Sequence, residues 1–278
     1  MTSESRTTSV TFIGGGNMAC ALIGGLLQRG YEASQFHVVE ISEGARQELE
    51  RKFGVRSSAT LPVQPLVSGV VVLAVKPQQL REVALSLAPL LRTQLVLTIA
   101  AGVRSADLSR WLGNYGRIAR AMPNTPALVL AGVSALYAMP EVDAAQRLQA
   151  EQILACVGSV IWLDDETQLD AVTAVSGSGP AYVFYFMEAM EEAARELGLN
   201  AQQSKQLVLD TFAGAAKLAS ASEEPVAVLR ARVTSKGGTT ERALSKFDEA
   251  RLKQHIVAAV IAAAERSRAL GDTFGQPA

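Results

Sequence analysis

Thr234-Ser235-Lys236-Gly237-Gly238-Thr239-Thr240 places two glycines after three polar residues and opens onto a helical pattern. Successive amides around paired glycines, followed by a helix start, make a concavity of N–H groups that suits an anion. Ser235, Thr239 and Thr240 add hydroxyl donors without a full positive charge, which fits a small carboxylate better than a polyphosphate. The plainer reading is a capped helix N-terminus with no ligand.

A second glycine turn stands at the start of the chain. Gly14, Gly16 and Ala19 follow the strand-like run Ser9 to Ile13 and open a helix at Asn17-Met18. The first glycine permits the tight turn, and the second lets backbone approach a pyrophosphate. The small third residue lets helix pack on strand. The alternative is an ordinary strand-to-helix turn built of small residues. Glu40 ends the next strand, where a carboxylate can accept the ribose hydroxyls of NADH and repel the 2′-phosphate of NADPH. Arg46 could relieve that repulsion, and the competing role for Glu40 is a solvated cap before Ser42. Val75-Lys76-Pro77 follows an almost wholly apolar strand. Lys76 there can reach a phosphate or ribose, or be a surface lysine, and Pro77 starts a helix. Ala100-Ala101 leaves room for a nicotinamide to approach. Asn124 sits in the stiff turn Met122 to Pro126. Ser176-Gly177-Ser178-Gly179-Pro180 fails the spacing of a nucleophile elbow and reads equally well as a helix-entry turn or a substrate contact.

The two histidines, His37 and His255, and the two cysteines, Cys20 and Cys156, have no metal-ligand spacing, so no metal is expected. With no strong acid–base constellation, the chemistry falls to a cofactor that carries the reactivity and a protein that positions two partners.

These residues need elements to hold them. Short β-branched runs at 9–13, 36–40, 69–75 and 95–99 alternate with helical patterns, which predicts a parallel sheet with crossover helices. Shorter runs at 117–121, 133–137 and 160–163 extend it. After Asp164 β-rich runs almost vanish. Val183, Met187, Met190, Ala194 and Leu197 then recur at spacings of four and three, one apolar helix face. The expected fold is α/β, with a Rossmann domain over 1–163 and an all-helical domain over 164–278. A helical unit so rich in Ala, Met and Val needs a partner chain to cover it, which favours an obligate homo-oligomer. Lys and Arg number 26 against 27 Asp and Glu, for a net charge of -1, which leaves no electrostatic footprint for nucleic acid or an anionic membrane. The polar start of the chain has no apolar signal core, and the longest apolar runs are too short to span a bilayer. Two unpatterned cysteines fit a reducing cytoplasm.

The motifs Phe12 to Ala19, Val75 to Gln78, Met122 to Ala127, Ser176 to Tyr182 and Thr234 to Thr240 together resemble those of the Δ1-pyrroline-5-carboxylate reductases, in the family's order and over nearly the whole chain. The resemblance implies NAD(P)H-dependent reduction of the C=N bond of pyrroline-5-carboxylate to L-proline, the last step of proline biosynthesis. It implies a homodimer interlocked through the helical domain, with dimers assembling further into a decamer. Thr240 would sit at the imine nitrogen as the catalytic hydrogen-bond partner, with Ser235 as the second catalytic residue. Ser235, Gly238 and Thr239 would hold the substrate carboxylate, with Glu166 and Glu223 beside them. Ile13 to Ala19, Glu40, Val75 to Pro77, Ala100, Ala101 and Asn124 would bind the cofactor. Two positions depart from the pattern. Lys236 stands where many relatives have proline, and Glu40 stands where many NADP-preferring relatives have Ser or Thr. Another imine reductase or a β-hydroxyacid dehydrogenase-like enzyme shares the plan, but such dehydrogenases usually need a lysine base on the first long helix of the second domain. Pro180 to Leu197 contains none. A noncatalytic dinucleotide sensor would lack the late carboxylate nest.

Overall fold

The computed structural model describes residues 8–276. Eight strands form one sheet in the order β3-β2-β1-β4-β5-β6-β7-β8. Their ranges are β1 Val10–Ile13, β2 Phe36–Val39, β3 Arg56–Ser58, β4 Val70–Leu73, β5 Leu95–Thr98, β6 Ile118–Met122, β7 Gly132–Ala138 and β8 Gly158–Trp162. All neighbours are parallel except β6 and β7, which pair antiparallel. Parallel pairing forces a crossover, and α1 Asn17–Gln28, α2 Glu43–Phe53, α3 Pro77–Leu87 and α4 Ser105–Trp111 supply the crossovers of the first half, while α5 Ala144–Ala155 connects β7 to β8. The parallel, β-branched Rossmann half expected from the sequence is therefore present.

Strand registers bring the site's anchor points to one level. Ile13 stands opposite Val39 and Leu73, and Leu73 stands opposite Thr98. Gly14, Glu40, Ala74 and Ile99 are then the first residues past the carboxyl ends of four adjacent strands, where open α/β sheets bind ligands. Two apolar layers fix the sheet. Phe12, Leu22, Leu26, Phe36 and Val72 pack on one face. Ile13, Leu73, Leu80, Leu87 and Leu108 pack on the other. Val70 to Leu73 are buried throughout, as a strand covered on both faces requires. β3 has no apolar run to announce it; three residues pair with β2 at the sheet edge.

The chain divides into two compact units, Met1–Ser178 with Ala263–Ala278, and Gly179–Ala262. The strand-rich sequence ends at 163. The packing of the first unit continues further, because α6, Gln168–Val172, rests on β6 and β7. A π-helical turn, Thr173–Gly177, follows it, with the Ser178 amide donating to the Thr173 carbonyl.

The second unit is all helix: α7 Gly179–Glu196, α8 Ala201–Ser220, α9 Val226–Arg232, α10 Thr239–Glu249 and the first part of α11 Leu252–Phe274. Within it only Ser204 and Val208 are buried. Val183 and Met190, on the predicted apolar face of α7, are 42% and 43% exposed. No helix among the described residues is long and apolar enough to cross a membrane.

Candidate functional site: a dinucleotide crevice and a threonine-rich turn

The glycine turn closes tightly on the sheet. The Gly14 amide donates to the Val39 carbonyl, and φ at Gly14 is 99°. A Cβ there would stand 2.7 Å from the Ala74 carbonyl oxygen, so only glycine fits. A Cβ on Gly16 would meet nothing within 4 Å, which leaves open backbone facing outward. Gly16 is the N-cap of α1, with no side-chain cap and no acid in the first turn. The amides of Asn17, Met18 and Ala19 belong to that turn and lack intrahelical acceptors. This arrangement fits a diphosphate.

A crevice of about 430 Å³ adjoins the turn. Six predicted cofactor residues line it: Ile13, Gly14, Gly16, Glu40, Val75 and Lys76. Gln79 and Glu82 of α3, with Thr60 and Leu61, are among the other lining residues. Those four were not anticipated. Gln79, Glu82 and Ser86 follow Lys76 at helical spacing, so the face of α3 was readable once Lys76 had been placed at the strand end. A larger hollow of about 600 Å³ includes Ser9, His37 and Ser68. It lies at the amino ends of the strands, away from the glycine turn.

Glu40 is fixed by two backbone donors. Its Oε2 accepts from the Gly15 amide at 2.9 Å, and its Oε1 from the Ser42 amide at 2.8 Å. Arg46 does not pair with this carboxylate. Its Nη1 donates to the carbonyls of Glu40 and Ile41. The capping residue of α2 is Ser42, whose hydroxyl accepts from Ala45.

Ala100, Ala101 and Gly102 follow β5, with Ala100 4% exposed. Asn124 is spent on the fold: its Oδ1 accepts from Val133 N at 3.0 Å, and its Nδ2 donates to Ser176 Oγ at 3.3 Å. It thereby ties the Met122–Pro126 turn to the π-helical turn. Glu166 is similarly engaged. Its Oε1 accepts from the Ser105 amide at 2.7 Å and from Arg120 Nη1 at 2.9 Å. The Arg120 side chain is 6% exposed and that of Glu166 21%, so this ion pair is largely out of water.

The threonine-rich turn lies in the helical unit. Gly238 caps α10 with no side-chain hydrogen bond, and Gly237 adopts φ 74°. Two of the expected anion-binding amides have internal acceptors. Gly237 N donates to Glu241 Oε2 at 2.6 Å, and Gly238 N donates to the Ser235 carbonyl at 3.0 Å. The donors left for a ligand are the hydroxyls of Ser235, Thr239 and Thr240 and the first-turn amides of α10. Thr240 is half-buried, while Ser235, Lys236, Thr239 and Glu223 are exposed.

Comparison with known proteins agrees with these features. Residues 166–270 match a family model described as pyrroline-5-carboxylate reductase dimerisation. Residues 9–102 match one described as NADP oxidoreductase, coenzyme F420-dependent. A pyrroline-5-carboxylate reductase of Pseudomonas aeruginosa is 45% identical over 271 residues, covering 97% of this chain and 99% of the relative. A solved pyrroline-5-carboxylate reductase from Coxiella burnetii superposes with a TM-score of 0.89 at 41% identity, covering 95% of this chain and 98% of that one. A Plasmodium falciparum pyrroline carboxylate reductase, solved with NADP bound, has a TM-score of 0.86 at 28% identity and covers 96% and 99%. The chain therefore belongs to the pyrroline-5-carboxylate reductase family.

Proposed function

We propose that this protein reduces the C=N bond of 1-pyrroline-5-carboxylate to give L-proline, using a nicotinamide dinucleotide bound at the Gly14–Ala19 turn. The observation that carries the reading is the open Gly16 backbone at an uncapped helix start, directly beside the crevice at the strand carboxyl ends. Bound NAD(P)H supplies the hydride. The first-turn amides of α1 hold the diphosphate, Lys76 lies on the phosphate side, and Glu40 accepts from the adenosine ribose. Asn124 braces the turn at the nicotinamide side, which Ala100 and Ala101 line.

Ser235 and Thr239 hold the substrate carboxylate through hydroxyls and α10 amides, with Gly238 shaping the start of that helix and Glu223 beside it; Glu166 acts as a brace on Arg120 and the Ser105 amide. Glu241 already satisfies Gly237 N, so the bound carboxylate uses donors further along α10. Thr240 sits at the imine nitrogen. A threonine hydroxyl is a poor acid, so Thr240 orients and stabilises the protonated imine. Alignment of this kind is worth roughly 7–11 kcal/mol in favourable systems.

The rigid Glu40 carboxylate repels a 2′-phosphate, and Arg46 is turned to backbone carbonyls instead of neutralising it. That favours NADH over NADPH. The chain works as a homodimer through its helical domain, with dimers assembling into decamers. Its free thiols accord with the cytoplasm. The proposed division is a cofactor domain over 1–163 and a substrate and dimerisation domain over 164–278.

Purified protein is mixed with pyrroline-5-carboxylate and NADH or NADPH, and loss of reduced cofactor is followed together with proline formation. Absence of proline with either cofactor, from folded oligomer, refutes the reading. Thr240→Ala should lower kcat more than it weakens cofactor binding, and an unchanged kcat removes Thr240 from the reaction.

A further inference from the structure

The end of α11 belongs to the first unit, although the helix begins in the second. Ser267, Leu270, Gly271 and Phe274 form one stripe at spacings of three and four, and that stripe lies on the turn that follows β5. Gly102 has φ 75°, and a Cβ there would stand 3.4 Å from both Leu270 Cβ and the Phe274 ring. Conversely, a Cβ on Gly271 would stand 3.3 Å from the Gly102 carbonyl oxygen and from Arg104 Nε. Helix and turn thus meet backbone to backbone through a pair of glycines.

Polar contacts lock the same junction. Ser267, 4% exposed, donates from Oγ to Asp170 Oδ1 at 2.7 Å. Arg104 Nη2 pairs with Asp272 Oδ1 at 2.5 Å. Arg110 Nη2 donates to the Gly275 carbonyl at 2.9 Å. The Phe274 ring packs on the apolar layer that also contains Ala100 and Val103. From the other side, the Ser105 amide is held by Glu166, itself paired with buried Arg120. The segment Gly102–Ser105 is gripped between these two sets of contacts.

We infer that the last turns of α11, residues 267–275, are a positioning element for the nicotinamide end of the cofactor crevice. They act through the Gly102–Arg104 turn and touch neither cofactor nor substrate. The inference rests on the proposed placement of the nicotinamide at Ala100-Ala101. The adenosine end is built from Gly14, Glu40 and the start of α3, whereas the glycine contacts and the Asp272 ion pair of the clamp fall on Gly102–Arg104, so the two ends of the cofactor should respond differently when it is disturbed.

The test compares two ligands on the full-length oligomer. ADP-ribose carries the adenosine and diphosphate but no nicotinamide, whereas NADH carries all three. In Gly271→Leu the added side chain must push the Gly102 turn aside by on the order of 1 Å, a misplacement that can cost about 100-fold in rate. The expected result is a lower kcat and a raised Kd for NADH, with the Kd for ADP-ribose unchanged. Gly271→Ala should retain most of the NADH affinity. A clamp that merely stabilised the fold would weaken both ligands in parallel, and that outcome, or no change in either, overturns the inference. Should Gly271→Leu not fold, Ser267→Ala/Phe274→Ala loosens the same junction without overpacking and is read in the same way. If wild type fails to make proline while the NADH and ADP-ribose responses still separate, the reaction assignment falls and the clamp stands.

Discussion

Removing the Glu166 carboxylate should expose how much of the first unit hangs on one ion pair. Arg120 lies on β6 with its side chain 6% exposed, so Glu166→Ala leaves a guanidinium charge in the interior without a counter-ion. Breaking a buried pair on one side costs about 3–5 kcal/mol. The Ser105 amide also loses its acceptor. An unmet buried donor costs about 1–3 kcal/mol. Glu166 itself is 21% exposed, so water can replace part of what is lost, and the expected destabilisation is about 3 kcal/mol. Glu166→Gln keeps an oxygen for both donors but gives up the charge, and charge-assisted bonds are about twice as strong as neutral ones, so it should lose about 1.5 kcal/mol. The uncharged pair Arg120→Met/Glu166→Leu should recover most of the deficit. Urea unfolding at one fixed protomer concentration measures all four proteins, because stability in an oligomer moves with concentration. A loss below about 0.5 kcal/mol in Glu166→Ala would mean that the pair behaves like a solvated surface contact, and the reasoning would be wrong. Glu166→Gln with native stability but a large drop in kcat would instead place this carboxylate on the substrate.

Three further outcomes follow from the geometry. Glu40→Ser removes the fixed carboxylate from the proposed ribose site and should move the NADPH-to-NADH ratio of kcat/KM upward by on the order of tenfold, equivalent to about 1.4 kcal/mol of relieved repulsion. A wild type that already uses NADPH far better than NADH contradicts the role given to Glu40. Burial pushes the Cys156 thiol up to about 12, so iodoacetamide at pH 8 should leave it unmodified in folded protein and label it after denaturation, as mass spectrometry will show. His37 has its pKa lowered, first by burial and then by Arg56. The unfolded chain therefore takes up the proton more readily, and this contribution to stability is complete above the ordinary value of 6.5 and is lost as pH falls below it. Melting temperature should fall on acidification through that window, and His37→Asn should flatten this part of the slope; an unchanged slope rules out His37 as its source.

Short-range patterns in the sequence were enough for the strand-turn-helix at Gly14, the buried run Val70–Leu73 and the helix α7, since each is a matter of period or turn chemistry over a few residues. What eluded them depends on distance along the chain. Nothing local pairs Glu166 with Arg120, or carries the Glu40 carboxylate back to the Gly15 amide. The π-helical turn at Thr173–Gly177 is hidden because its residues also suit an ordinary entry turn. The last turns of α11, up to Phe274, are weakly marked because glycine and polar residues dilute the apolar period there, yet they pack on the β5 turn. In the late glycine turn the residue types read as an anion site, yet Glu241, one helical turn on, takes the Gly237 amide that the pattern had reserved for a ligand.

The helical unit, with only Ser204 and Val208 buried, has a consequence for inheritance as well as for packing. A chain whose apolar helices are covered by another copy does not fail alone. Dilution should lower its melting temperature, because the covering surface is supplied by mass action. When two alleles are expressed together, a variant whose cofactor crevice is ruined but whose helices are intact will still be built into assemblies and occupy places in them. A variant damaged in α7 or α8 will be excluded and degraded, leaving the good copies to one another. Dominance should therefore track the domain in which a lesion falls, with crevice lesions interfering and helix lesions recessive.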